Sequence, residues 1–166
     1  MKTINELFLT FLQDVYYAER QILKALPKWA KASQSEQLRQ ALLNHREETE
    51  HQVERLQQVF DHIGKRARGQ TCEAIQGLIE EGEEIIHEFY QGVVRDAGII
   101  ACAQAVEHYE MARYGALLAW AKVCGMKEVA QLLDETLQEE KKADTQLNQI
   151  ANADINRQAA SSARAA

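Results

Sequence analysis

Apolar residues recur at intervals of three and four along most of the chain, the spacing that gathers them on one face of an α-helix. Phe8, Leu12, Val15, Ile22, Leu26 and Trp29 predict a first helix over about residues 3–32, with Pro27 kinking its last turn. Leu38, Leu42, Leu56, Val59 and Phe60 predict a second over about 36–63, with Ser35 as its N-cap and Gly64 as its stop. The middle of that second stripe is polar, at His45, Thr49 and Gln52. A basic, glycine-containing loop follows, and Ile75, Leu78, Ile79, Ile85 and Ile86 then predict a shorter helix over about 72–91. Ile99, Ala103, Val106, Tyr114 and Leu117 predict a long helix over about 97–124, N-capped by Asp96 and closed by Gly125. Val129, Leu133, Leu137, Leu147 and Ile150 predict the last, over about 127–151. Residues after Asn152 read as a frayed tail.

These elements define an all-α chain. The connections between the first two and the last two long helices are too short for anything but antiparallel neighbours. The segment between those pairs is long enough to cross the bundle. The expectation is a ferritin-like antiparallel four-helix bundle with one long crossover carrying a short fifth helix. Residues 1–152 form that domain and 153–166 a flexible C-terminal tail.

The length of 166 residues suits one domain, and 46% hydrophobic residues suffice to fill its core. A net charge of −6 leaves Lys65, Arg66 and Arg68 as the nearest thing to a basic face, so nucleic acid is not an expected partner. No apolar run approaches the roughly 20 residues of a membrane span. The amphipathic pattern begins at the N-terminus with no signal-like segment before it. Cys72, Cys102 and Cys124 are widely spaced and odd in number, which favours reduced thiols and a cytoplasmic location.

The candidate chemistry lies where charge meets the apolar stripes. At 100° per residue, Glu110 falls near the middle of its helix's stripe and Glu140 almost at the centre of the next. Glu19 lies inside the flank of the first stripe, with Glu48 and Glu107 nearer the edges of theirs. A carboxylate in a core costs several kcal/mol or more unless it is compensated. Inward lysines and arginines are too few to do so, whereas two divalent cations would neutralise four such carboxylates, one from each long helix. Oxygen-rich ligation suits iron or manganese. Glu48-Thr-Glu-His51 is an ExxH pair, whose members share a helical face and can bind one ion. Tyr17 and Tyr114 are candidate hydrogen-bond donors to ligating carboxylates.

Four local spellings carry a family resemblance: Tyr17-Ala-Glu19-Arg20-Gln21, His45-Arg-Glu-Glu48-Thr49-Glu-His51, Ala105-Val-Glu107-His-Tyr-Glu110 and Glu140-Lys-Lys-Ala-Asp144. Over about residues 4–152 the chain resembles the YciF-type bacterial stress proteins, a domain-of-unknown-function family in the ferritin-like superfamily. The resemblance implies a compact helical homodimer associated with stress responses. The superfamily implies a dinuclear metal site, for which Glu19, Glu48, His51, Glu107, Glu110, Glu140 and Asp144 are the candidate ligands. Two departures stand out. Ala143 occupies the position of a second ExxH histidine, a role open to Asp144 or Glu107. The imidazole ligand is His51 by motif or His45 by direction. Two functions follow as expectations. One is ferrous oxidation by oxygen or peroxide, with peroxide consumed. The other is a non-enzymatic, metal-stabilised dimer serving as a stress-response interaction module. A cage for iron storage is a third, less suited to a dimer.

Overall fold

A computed structural model describes residues 1–162 of the chain. Its elements are helices α1 (Ile4–Ala32), α2 (Glu36–His62), α3 (Glu73–Glu88), α4 (Val93–Val123) and α5 (Lys127–Ile150), then a π-helical stretch (Ala151–Ile155) and α6 (Asn156–Ser162). The chain is an all-α helical bundle: α1 packs on α2, α4 on α5 and α2 on α5, while α3 lies against α1 and α4.

Local chemistry fixes the helix ends. Thr3 and Glu6 form a reciprocal capping box, with the Thr3 amide donating to Glu6 Oε2 at 2.7 Å. α1 runs through Pro27 as one helix to Ala32. Ser35 caps α2 by accepting from the Leu38 amide at 3.3 Å. Gly64 and Gly125 end α2 and α4 at φ of 66° and 71°, backbone conformations that glycine adopts without strain.

Two expectations change. Asp96 does not cap α4, which starts earlier, at Val93. Its buried carboxylate instead accepts from the amides of Gln34 at 2.9 Å and Ser35 at 2.7 Å, so it holds the α1–α2 connection against α4. The frayed tail after Asn152 is replaced by helix as far as Ser162. Ala151 and Ile155 bury their side chains in the core, and α6 packs on α4. Of the expected tail, residues 163–166 lie outside the described residues.

The core is divided. One apolar cluster gathers Ile22, Trp29, Leu38, Ile99 and Ile150. The other gathers Phe8, Leu12, Phe60, Tyr114 and Leu133. On all four long helices the change from one cluster to the other falls at the same level. The buried polar residues Glu19, His45, Thr49, Gln52, Glu107, Glu110 and Glu140 occupy that level.

Candidate metal centre

Each long helix sends a side chain inward at this level. Glu19 comes from α1, His45 from α2, Glu107 and Glu110 from α4, and Glu140 from α5; Glu19, Glu110 and Glu140 are 0% exposed. Glu107 and Glu110 are one turn apart and so share a face of α4. One ligand atom each from His45, Glu107, Glu110 and Glu140 lie within 4.8 Å of one another. His45 Nε2 is 3.1 Å from Glu107 Oε1 and 3.8 Å from Glu140 Oε2. The Tyr114 hydroxyl donates to Glu19 Oε1.

Burial dominates the electrostatics. It pushes the Glu19 carboxyl up to about 8, reinforced by the charge of Glu140. It drives Glu107 and Glu110 well above the usual carboxylate range and raises Glu140, although His45 pulls Glu107 and Glu140 back. Burial alone, the largest single influence, would lower the His45 imidazole, but Glu107, Glu48, Glu140 and Glu19 together outweigh it and raise it to about 10. Both oxygens of Glu110 and of Glu140, Oε2 of Glu19 and of Glu107, and both nitrogens of His45 are buried without a hydrogen-bond partner among the described residues. Buried polar atoms are rarely left so. Four carboxylates around one imidazole, with this many free lone pairs, suit a hard or borderline divalent cation. The His/Glu cluster could hold a metal ion.

Linkage gives the metal-free protein a definite pH dependence. Groups whose pKa is raised by folding stabilise fully below their unfolded values, and lose that contribution as pH rises through the folded ones. For Glu19 the loss runs from about 4.5 to about 8, and for His45 from about 6.5 to about 10. Chelator-treated protein is therefore expected to melt at a higher temperature near pH 5.5 than near pH 8.5, as thermal unfolding monitored by circular dichroism would record. A melting temperature that rises across this interval would contradict the assignment of these shifts.

The other sequence candidates lie elsewhere. His51 does not join the cluster: its side chain is 70% exposed and faces Glu54 at 3.4 Å. Asp144 accepts from Gln104 at 3.0 Å and sits 3.3 Å from His108 on the α4–α5 surface, also away from the cluster. Glu48 stands at the edge, 35% exposed, with Oε2 3.7 Å from His45 Nδ1 and Oε1 3.7 Å from Lys142 Nζ. Tyr17 is not beside the acids, since its hydroxyl accepts from Gln76 at 2.8 Å. The geometry also adds neighbours that sequence reasoning passed over. Arg55 grips both oxygens of Glu139 at 2.7 and 2.6 Å, and Gln52 donates to Glu139 at 3.0 Å, a polar layer beside Glu140. The only sequence signal for it was the polar stretch of the α2 stripe. Tyr109 donates to Asp14 at 2.8 Å across the α1–α4 seam.

Fold and site together define an all-α bundle with a buried, carboxylate-rich histidine cluster. The chain belongs to the DUF892 family, described as a domain of unknown function, which matches residues 3–160. It is 44% identical over 160 residues to Protein YciF of Escherichia coli K12, spanning 96% of both chains. The crystal structure of the E. coli stress protein YciF superposes with a TM-score of 0.90, covering 94% of this chain and 99% of that one. YcfI from Rhodopseudomonas palustris, 49% identical, gives 0.87 over 89% of this chain and 94% of its own. A Xanthomonas campestris protein at 22% identity gives 0.72, covers 91% and 92%, and shares the fold alone. No helix of the described residues is long and apolar enough to cross a membrane.

Proposed function

We propose that the buried cluster is a dinuclear centre for iron or manganese in a stress-associated protein, and that the ferrous form consumes peroxide. The observation that supports this most is the set of fully buried, unpartnered carboxyl oxygens on Glu110 and Glu140. Glu19, His45, Glu107, Glu110 and Glu140 would hold the metal. Two divalent ions carry the charge that four ionised carboxylates need, with the imidazole neutral. A ferrous pair held by these residues would supply the two electrons that, with two protons, reduce one hydrogen peroxide to two waters and leave both ions ferric.

The chain's own groups orient and isolate that chemistry. Tyr114 fixes the Glu19 carboxylate through its hydroxyl hydrogen bond. His45 spans from Glu107 to Glu48 and so joins the buried acids to the α2–α5 surface. The two apolar clusters exclude water from above and below the polar layer. The test is peroxide consumption by the ferrous-loaded protein, followed by the ferric absorbance that accompanies it. Wild type is expected to consume about one peroxide per two bound ferrous ions in a single round, and Glu110→Ala and Glu140→Ala to lose at least about a hundredfold in the rate of that round. An undiminished single-round rate in both variants would remove the cluster from the reaction.

A second reading has its own support. Glu19, Glu110 and Glu140 are wholly buried, so a bound cation adds folding stability whether or not it reacts. On that reading the protein is a metal-stabilised homodimer acting as an interaction module. Loaded protein that is strongly stabilised yet inert to oxygen and peroxide would select it.

A further inference from the structure

A cleft of about 500 Å³ opens between α2 and α5. His45 and Glu107 form its floor, Ala41, Leu42, Ala143 and Leu147 its walls, and Glu48 and Lys142 stand among its polar lining. Its depth depends on small residues. Ala143 is 8% exposed, sits one turn beyond Glu140 and lines the cleft together with His45, so a longer side chain there would take up part of its volume. On the α1–α4 side, the gap bounded by Ile22, Leu26, Trp29 and Val106 has a volume of only about 10 Å³ and is almost wholly apolar. A hydrated cation cannot pass there.

Resting on the metal-binding reading above, we propose that the α2–α5 cleft is the route by which a divalent cation reaches the buried cluster, with Glu48 as its capture group at the mouth and Lys142 as the opposing charge. Glu48 is thereby a positioning residue on the path and not a ligand of the bound ion. Three features carry this. Glu48 is the half-buried carboxylate next along α2 from the His45 imidazole, and its Oε2 lies 3.7 Å from His45 Nδ1. The ammonium of Lys142, 75% exposed, lies 3.7 Å from Glu48 Oε1, so it competes with an incoming cation for the same carboxylate. The unpartnered nitrogens of His45 and Oε2 of Glu107 lie at the inner end, nine-tenths or more buried.

A group that acts on the path changes the barrier and leaves the end states alone, so uptake and release change by the same factor. Chelator-stripped protein is mixed with Co²⁺, and uptake is followed by stopped-flow through the visible bands of the bound ion. Release into excess chelator gives the reverse rate. Glu48→Gln is expected to slow both about three- to tenfold, and Lys142→Gln to speed both by a similar factor, the scale of local charge steering. Ala143→Leu is expected to slow both more strongly by filling the cleft. Metal per chain stays at the wild-type value in all three, and any change in equilibrium affinity is smaller than the change in the rates. Glu84→Gln, an exposed charge change on α3, leaves the rates alone. Lower metal content in Glu48→Gln would make Glu48 a ligand and overturn the proposal, as would unchanged rates in both charge variants. Wild type that binds no metal would overturn the metal-binding reading itself, a result distinct from either.

Discussion

Glu110→Leu is expected to make the metal-free protein more stable while abolishing its response to metal. Glu110 is 0% exposed, neither of its oxygens has a hydrogen-bond partner among the described residues, and burial holds its pKa well above the usual range. Leucine is close to glutamate in volume and carries nothing to desolvate. Replacing buried ionic groups by apolar ones of similar shape is often neutral or stabilising, by about 1–4 kcal/mol. At pH 8, where the raised carboxyls are being forced toward ionisation, the gain should be largest. The same change removes one of the atoms clustered within 4.8 Å, and metal affinity should fall at least about a hundredfold. Wild type, by contrast, should gain about 2.7 kcal/mol from metal at a hundred times its dissociation constant. Thermal unfolding with and without Mn²⁺ measures both effects. A group kept for stability behaves the opposite way: its removal lowers the melting temperature of the metal-free protein and leaves the metal response in place.

The second large effect belongs to the crossover. Gly82 on α3 lies against the fully buried Trp29, and a Cβ there would stand 2.3 Å from Trp29 Cζ2 and 2.8 Å from Cε2. A rigid indole at 2% exposure has nowhere to withdraw. Gly82→Ala gains about 1 kcal/mol of helix propensity. Overpacking of this severity costs about 3 kcal/mol. The net loss of about 2 kcal/mol corresponds to about 4–8 °C in melting temperature for a chain of this size. Gly77→Ala, on the same helix with nothing within 4 Å, keeps only the propensity gain and should melt slightly higher. Equal shifts in the two variants would mean that α3 does not press on Trp29 as described. Loosening α3 also loosens the apolar cluster above the site, so metal retention on heating should fall in step with stability.

Most of the fold was legible because stripe direction is an angular sum, and errors in helix ends do not disturb it. The inward direction of Glu110, Glu140 and Glu19 survived for the same reason. The histidine is more instructive. His51 matches the ExxH spelling, yet six residues separate it from His45, a rotation of about 240° that carries one to the surface when the other faces the core. Direction on the wheel therefore discriminated where the motif did not. Asp96 was misread because an aspartate before a helix resembles a cap, whereas its actual partners, the amides of Gln34 and Ser35, are some sixty positions away in sequence. Such long-range hydrogen bonds leave no local periodicity. The helix beyond Asn152 is hard to read because its sequence is small and polar, and among the described residues of this segment only Ala151 and Ile155 anchor it in the core. Ala143 was visible as a missing histidine. That it opens a cleft to His45 depends on how α2 and α5 face each other, which no single helix records.

The most direct measurement is metal per chain. Chelator-stripped protein would be reconstituted anaerobically with Fe²⁺ and, separately, with Mn²⁺, freed of loose metal and analysed for its elemental content. About two ions per chain are expected in wild type, and close to none in Glu140→Ala. Wild type that retains neither metal, or a variant that retains as much as wild type, would contradict the account and make the inward glutamates a protonated polar network.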